Sequence, residues 1–256
     1  MIVVPGWLDH LLFLVLAVLV PLGDRRLGFR RLAAAAEEDV PPARAALYRN
    51  TLALLWGLAA ALALLWLATG RPWSDLGLVL RPTGGLGGVM LGVAVIVAVL
   101  ARQSRFAPGD VEALAKLRRS AGRLLRMLPV TGRELRWFAG LSVTAGICEE
   151  ALYRGFLIWY LGAWAVLVAP PAYVFLAAAA ASSVLFGLAH AYQGWRNVLV
   201  TGLTGGFLAA VVWITGSLYA AMLVHALMDL HAGYTSHAAH AAARAVPAGP
   251  GAGGEA

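Results

Sequence analysis

The sequence predicts an all-α fold, a polytopic membrane helical bundle with about seven transmembrane segments. Of the 256 residues, 61% are hydrophobic and 13% are charged, whereas a soluble domain carries about 25% charged residues. The apolar residues occur in runs close to the ~20 residues that a bilayer-spanning helix needs. Most charged residues lie in the connections between these runs, which favours a membrane domain over a soluble one.

Seven apolar segments are predicted, at residues 7–22, 47–69, 84–101, 137–167, 171–190, 197–215 and 217–234. The connections 23–46 and 102–136 are the most basic, and basic connections face the cytoplasm by the positive-inside rule. The first five residues hold no Lys or Arg, and an arginine cluster follows the first run. We therefore expect an uncleaved first span, with the N-terminus outside and the C-terminus in the cytoplasm.

Three stretches of the sequence are not explained as single transmembrane helices. Segment 137–167 is too long for one untilted span, so we expect its start to lie in the interface or a break near Gly146. Residues 110–128 set leucines among arginines, which predicts either an interfacial amphipathic helix or an ordinary cytoplasmic connector helix. The tail from about residue 235 is rich in Ala, Gly and Pro and is predicted to be disordered.

Ionisable side chains within the later spans are few, and each is costly in a bilayer. Glu150 and Arg154 lie four residues apart on one helix face and can pair. Glu149 lies ~100° further around the helix and cannot share that pairing equally. A carboxylate that is left free in this way suits general-base chemistry.

Two more pairs with four-residue spacing follow on later spans. Phe186 precedes His190, and His225 precedes Asp229. The second pair can orient a histidine tautomer, hold a metal, or present donors to an oxyanion. Each pattern alone is also what helix packing produces, but three patterns on three spans use most of the ionisable groups in this region. This concentration favours a functional site.

The order Glu-Glu-x-x-x-Arg, Phe-x-x-x-His and His-x-x-x-Asp on successive spans resembles the signature of the CPBP family. This family comprises the CAAX proteases and the bacteriocin-processing enzymes and is also called Abi. The resemblance covers about residues 137–230, and the stretch Ser74-Asp75-Leu76-Gly77-Leu78 is similar to a segment often seen ahead of that core. It implies an intramembrane endopeptidase, a hydrolase of peptide bonds. The expected organisation is N-terminal transmembrane helices with cytoplasmic connectors at 1–128, a catalytic core at 129–234, and a disordered tail at 235–256.

The resemblance also implies roles for the motif residues. Glu149 would activate the attacking water with help from His190. His225 and Asp229 would lie where the family stabilises the oxyanion. Because many members have Asn at the position of Asp229, and an ionised Asp cannot donate, orienting His225 is the more consistent role for it. The supporting residues would be Glu150, Arg154 and Phe186.

Two mechanisms stay open at this point. Glu149, Glu150, His190 and His225 are candidate ligands for a divalent metal such as zinc, although the sequence has no His-Glu-x-x-His motif. A metal-free mechanism with a Glu–His pair resembles what the prenyl-protein branch uses. Cys148 has no cationic neighbour that would activate its thiol, so a cysteine-protease mechanism is not expected.

The sequence leaves two other functions open. Buried Glu, His and Asp also serve transporters and proton relays, and a non-catalytic immunity-type scaffold could keep the same fold. The expected partners are a peptide or membrane-protein substrate and the lipid bilayer. Nucleic acid is not expected, because the cations lie between apolar runs. Lys116 is the single lysine among many arginines, which is typical of GC-rich bacteria and indicates a bacterial plasma membrane. Prenylated CAAX proteins are a eukaryotic substrate class, so the resemblance implies a reaction type here and not a target.

Overall fold

The computed structural model describes residues 4–23, 28–80 and 110–244, together with Gly87, Val93, Val97, Ala98 and Arg102. All regular structure in these ranges is helical and none of it is strand, which confirms the all-α prediction. The predicted third span, 84–101, lies almost entirely outside the described residues.

Nine helices organise the described ranges. They are α1 (Trp7–Leu22), α2 (Phe29–Ala34), α3 (Val40–Thr69), α4 (Val111–Ala121), α5 (Gly132–Glu150), α6 (Ile158–Ala165), α7 (Val174–Ala189), α8 (Trp195–Thr215) and α9 (Leu218–Arg244). A π-helical segment, Ala151–Leu157, joins α5 to α6 without a break. Such wide turns are rare and frequently mark functional sites.

Three helical stretches are long and apolar enough to cross a membrane, namely Glu37–Thr69, Pro171–Ala189 and Trp195–Thr215. Only 22%, 28% and 33% of their most apolar windows are buried inside the protein. Large apolar side chains on these helices, such as Leu64, Val184 and Leu203, are exposed. A surface of this kind suits lipid and not water. These helices indicate an integral membrane protein, but three candidates in the described ranges do not confirm the predicted seven spans.

Helix α5 begins with a capping box. The Thr131 hydroxyl accepts from Glu134 N at 3.2 Å, and the Glu134 carboxylate accepts from Thr131 N at 2.9 Å. Arg44 of α3 donates to the same carboxylate at 2.6 Å. Burial alone would raise the pKa of Glu134, but the backbone N–H groups of Thr131 and Val130 and the Arg44 guanidinium lower it below its ordinary value.

Helix α5 is continuous through Gly146. Of the two alternatives for this long segment, the break near Gly146 is therefore wrong. A Cβ atom on Gly146 would lie 2.7 Å from the Met222 carbonyl oxygen and 2.8 Å from Ala226 Cβ of α9. The glycine is needed because two helices pass very close to each other, and not because the chain bends. This close crossing brings the end of α5 against the N-terminal third of α9.

Helix α9 continues to Arg244, so the predicted disorder is wrong for residues 235–244, while 245–256 lie outside the described residues. The added turns are tied to the segment ahead of α5. The Ser236 hydroxyl donates to Pro129 O at 3.0 Å, and His237 Nδ1 lies 2.9 Å from Val130 O. The alanines that suggested a loose tail are strong helix formers once such partners are present.

The segment around Leu76 links the π-helical segment to α9. Leu76 is buried, and its carbonyl oxygen would lie 3.2 Å from a Cβ on Gly155. The next residue, Gly77, accepts a hydrogen bond from Leu218 N at 2.8 Å. The stretch that resembled a family segment therefore fixes the π-helical segment beside the start of α9.

Candidate active site

Residues from all three sequence motifs line one cavity of about 400 Å³. Its wall includes Glu149 at the end of α5, Phe186 and His190 at the end of α7, and His225 and Asp229 of α9. These residues lie far apart in the sequence, and the folding of three helices brings them around a single space. All four predicted catalytic residues therefore line the same cavity.

Glu150 is fully buried and is held from two sides. Arg154 Nη1 donates to its Oε1 at 2.9 Å, as helical spacing predicted, and His225 Nδ1 lies 2.7 Å from the same oxygen. The Arg154 guanidinium also lies over the Phe186 ring, 4.1 Å from its centre. Helical spacing predicts only pairs within one helix, so the bond to His225 became visible only with the α5–α9 crossing.

The partner of His225 differs from the prediction. Its Nε2 lies 3.8 Å from Asp229 and 3.9 Å from Glu149, which is ion-pair distance but beyond a hydrogen bond. Glu150, and not Asp229, therefore orients the ring. With Nδ1–H donated to the Glu150 carboxylate, Nε2 carries no proton in the neutral ring and carries one in the imidazolium.

Glu149 takes no part in the Glu150–Arg154 pair, as its position around the helix predicted. Its side chain is 14% exposed, and its charged neighbour is His225 Nε2. No residue in the described part of the chain donates a hydrogen bond to its carboxylate. The two adjacent glutamates thus differ: Glu150 is committed to Arg154 and His225, whereas Glu149 lies in the cavity wall with an uncommitted carboxylate.

His190 follows the last residue of α7 and is fixed by Phe186. Its Nδ1 lies 2.8 Å from the Phe186 carbonyl oxygen, and the two rings meet edge to face at 4.7 Å. A carbonyl only accepts, so Nδ1 holds the proton and Nε2 keeps a lone pair in the neutral ring. Phe186 also lies edge to face with His225 at 6.1 Å, which explains why a phenylalanine belongs to the motif.

The same part of the chain matches a known protein family. A family model described as Type II CAAX prenyl endopeptidase Rce1-like matches residues 131–231, from the cap of α5 into α9. This part of the chain is therefore similar to the Rce1-like family. The match includes all three motifs and confirms the resemblance to CAAX proteases. The comparisons with curated proteins and with solved structures gave no match.

Several polar residues of the wall were not part of the sequence prediction. Tyr153, Tyr192, Thr201 and Thr204 line the same cavity. Tyr153 lies four residues after Glu149, so helical spacing could have identified it. No sequence signal distinguishes Thr201 and Thr204, because hydroxyls on apolar helices commonly serve helix packing.

The proposed zinc ligands do not form a metal site in the ranges that the structure describes. No group of three His, Cys, Asp or Glu side chains there could hold a metal ion. Among the four candidates, Glu150 is committed to Arg154 and His225. Cys148 is buried and is not part of the cavity wall.

Proposed function

We propose that the protein is an intramembrane endopeptidase of a bacterial plasma membrane. It hydrolyses a peptide bond of a peptide or membrane-protein substrate at or within the cytoplasmic side of the bilayer. The observation that carries this proposal is the uncommitted carboxylate of Glu149 in the cavity that also holds His190, His225 and Asp229. The match of residues 131–231 to a CAAX endopeptidase family model supports the reaction type.

Water is activated by Glu149 and His190. The water donates one hydrogen bond to His190 Nε2, and the Glu149 carboxylate takes the other proton as the water oxygen bonds to the carbonyl carbon. The carbonyl electron pair moves onto oxygen and forms a tetrahedral oxyanion. On collapse the C–N bond breaks, and the proton held by Glu149 passes to the leaving nitrogen.

The buried network beside Glu149 separates the roles of the two glutamates. Glu150 is compensated by Arg154 and bonded to His225, so it positions the site and does not act as the base. An imidazolium at His225 would donate from Nε2 toward the reacting carbonyl. Asp229, when ionised, only accepts hydrogen bonds.

The rest of the cavity wall fits an apolar substrate segment. Most of its remaining residues are apolar, and many of these come from α1, α3 and α5, among them Leu16, Leu47, Leu55, Phe138 and Leu141. An apolar wall with a small polar cluster is the usual composition of a binding site. This composition supports a substrate drawn from the bilayer.

The test is cleavage of quenched fluorescent peptides by the purified protein in liposomes. Glu149→Gln and His190→Ala are expected to lower kcat by about 10²–10⁴-fold, the usual contribution of a general base. Glu112→Gln in α4 and His240→Ala in α9 are matched controls outside the cavity and should keep the wild-type rate. Wild-type activity in Glu149→Gln would contradict the proposal, and pH-driven flux without cleavage would favour a transporter.

A further inference from the structure

Tyr153 places a hydroxyl without a partner in the wall of the active-site cavity. It lies four residues after Glu149, in the π-helical segment, so the two residues lie about one turn apart. Both line the cavity. Tyr153 is 4% exposed, and its hydroxyl has no hydrogen-bond partner in the described part of the chain. A buried hydroxyl in this state costs free energy, which a ligand that accepts its hydrogen bond would recover.

The ring of Tyr153 is held in place independently of its hydroxyl. It meets the Phe186 ring edge to face at a centroid distance of 4.9 Å. The Tyr153 carbonyl oxygen accepts a hydrogen bond from the Ser182 hydroxyl of α7 at 2.7 Å. The backbone and the ring are therefore fixed, and the hydroxyl is a preorganised donor.

The motif residues His225 and Asp229 supply at most one donor to an oxyanion. Asp229, when ionised, has no proton to donate, and His225 gives its Nδ1–H to Glu150 and donates from Nε2 only as the imidazolium. The Nη2 of Arg154 also lacks a partner, but Arg154 is not part of the cavity wall. Among the hydroxyl-bearing residues of the described wall, Tyr153 is buried, whereas Thr51, Tyr192, Thr201 and Thr204 are partly exposed.

We propose that the Tyr153 hydroxyl donates a hydrogen bond to the scissile carbonyl oxygen as that oxygen becomes an oxyanion. The inference rests on the proposed function. Tyr153 keeps its proton throughout, and its bond strengthens as negative charge develops, so it stabilises the transition state more than the bound substrate. This makes Tyr153 a catalytic residue of the hydrolysis.

The first test is Tyr153→Phe, which removes the oxygen and keeps the ring against Phe186. Loss of one oxyanion donor is expected to lower kcat by about 10²-fold or more, with KM within about twofold of wild type. Tyr160→Phe is the matched control. The Tyr160 hydroxyl lies 2.8 Å from His10 Nδ1 and outside the cavity wall, so kcat should stay unchanged.

The second test is binding, which does not depend on the fraction of protein that is folded. The Kd of a peptide with a phosphinate at the scissile position, a tetrahedral analogue, should rise in Tyr153→Phe by about the factor lost in kcat. The Kd of the uncleaved amide peptide, measured in the inactive Glu149→Gln background with and without Tyr153→Phe, should not change.

Cleavage that survives Tyr153→Phe within about threefold would overturn this inference alone. A fall in kcat with unchanged affinity for the phosphinate, or equal losses for analogue and amide, would overturn it as well. Absence of cleavage by the wild-type protein would overturn the proposed function and this inference with it.

Discussion

At the scale of single residues, the geometry of the site depends most on Glu150. Its carboxylate is fully buried, and it bonds Arg154 on its own helix and His225 on α9. Removing one member of a buried charge pair leaves the other uncompensated, which is far more costly than losing a surface pair. The adjacent Glu149 is released for chemistry because Glu150 takes up these partners.

Glu150→Gln is expected to lower the free energy of unfolding by about 3–5 kcal/mol, because the buried Arg154 loses its counter-charge. Unfolding of the detergent-solubilised protein by denaturant measures this change. Glu37→Gln is the matched control, since Glu37 pairs with Arg126 at 2.7 Å but its side chain is 88% exposed. That change should cost at most about 1 kcal/mol, and equal losses in the two variants would contradict the buried network.

Glu134 gives the fold a defined pH dependence. Its pKa is lowered in the folded protein, so the unfolded chain binds the proton first as the pH falls. The stability that the carboxylate provides is therefore present above its ordinary pKa of 4.5 and is lost as the pH falls through the lower, folded value. Melting temperatures between about pH 3 and pH 7 should show the advantage of wild type over Glu134→Gln disappearing at the acidic end. An advantage that does not change with pH would argue against this role.

At the scale of elements, the crossing of α5 and α9 builds the site. Helical spacing predicted the pair Glu150–Arg154, and it fitted His225–Asp229 equally well. The actual partner of His225 depends on which face of α9 meets α5, and that is decided by the space that Gly146 leaves for Met222. A contact between helices of this kind could not be predicted from periodicity along one helix.

Gly146→Ala tests the crossing directly. A Cβ there would lie 2.7 Å from the Met222 carbonyl oxygen, so the helices must separate, at a cost of about 1–3 kcal/mol in the free energy of unfolding. The Glu150–His225 bond should lengthen with them, and kcat should fall.

Gly140→Ala on the same helix is the control for Gly146→Ala. A Cβ there has no neighbour within 4 Å, and the change should be neutral or stabilising by up to about 1 kcal/mol. Loss of stability and activity in both variants alike would show that any alanine in this helix is harmful, and not the crossing.

At the scale of the whole molecule, composition alone predicted a helical membrane protein. Sparse charge and long apolar runs appear in the structure as helices that leave many apolar side chains exposed. The predicted C-terminal end of the last helix was wrong. Disorder was expected from residue 235, but the Ser236 and His237 contacts to Pro129 and Val130 extend α9 to Arg244. These partners lie more than a hundred residues earlier in the chain, so local composition could not reveal them.

The central claim is that water is activated by side chains, with Glu149 as the base. The most direct test is peptide cleavage in liposomes by wild type and Glu149→Gln, each measured before and after treatment with a chelator. Cleavage by wild type is expected to survive the chelator, and cleavage by Glu149→Gln is expected to be about 10²–10⁴-fold slower. Cleavage that the chelator abolishes and zinc restores, or that persists in Glu149→Gln, would contradict the central claim.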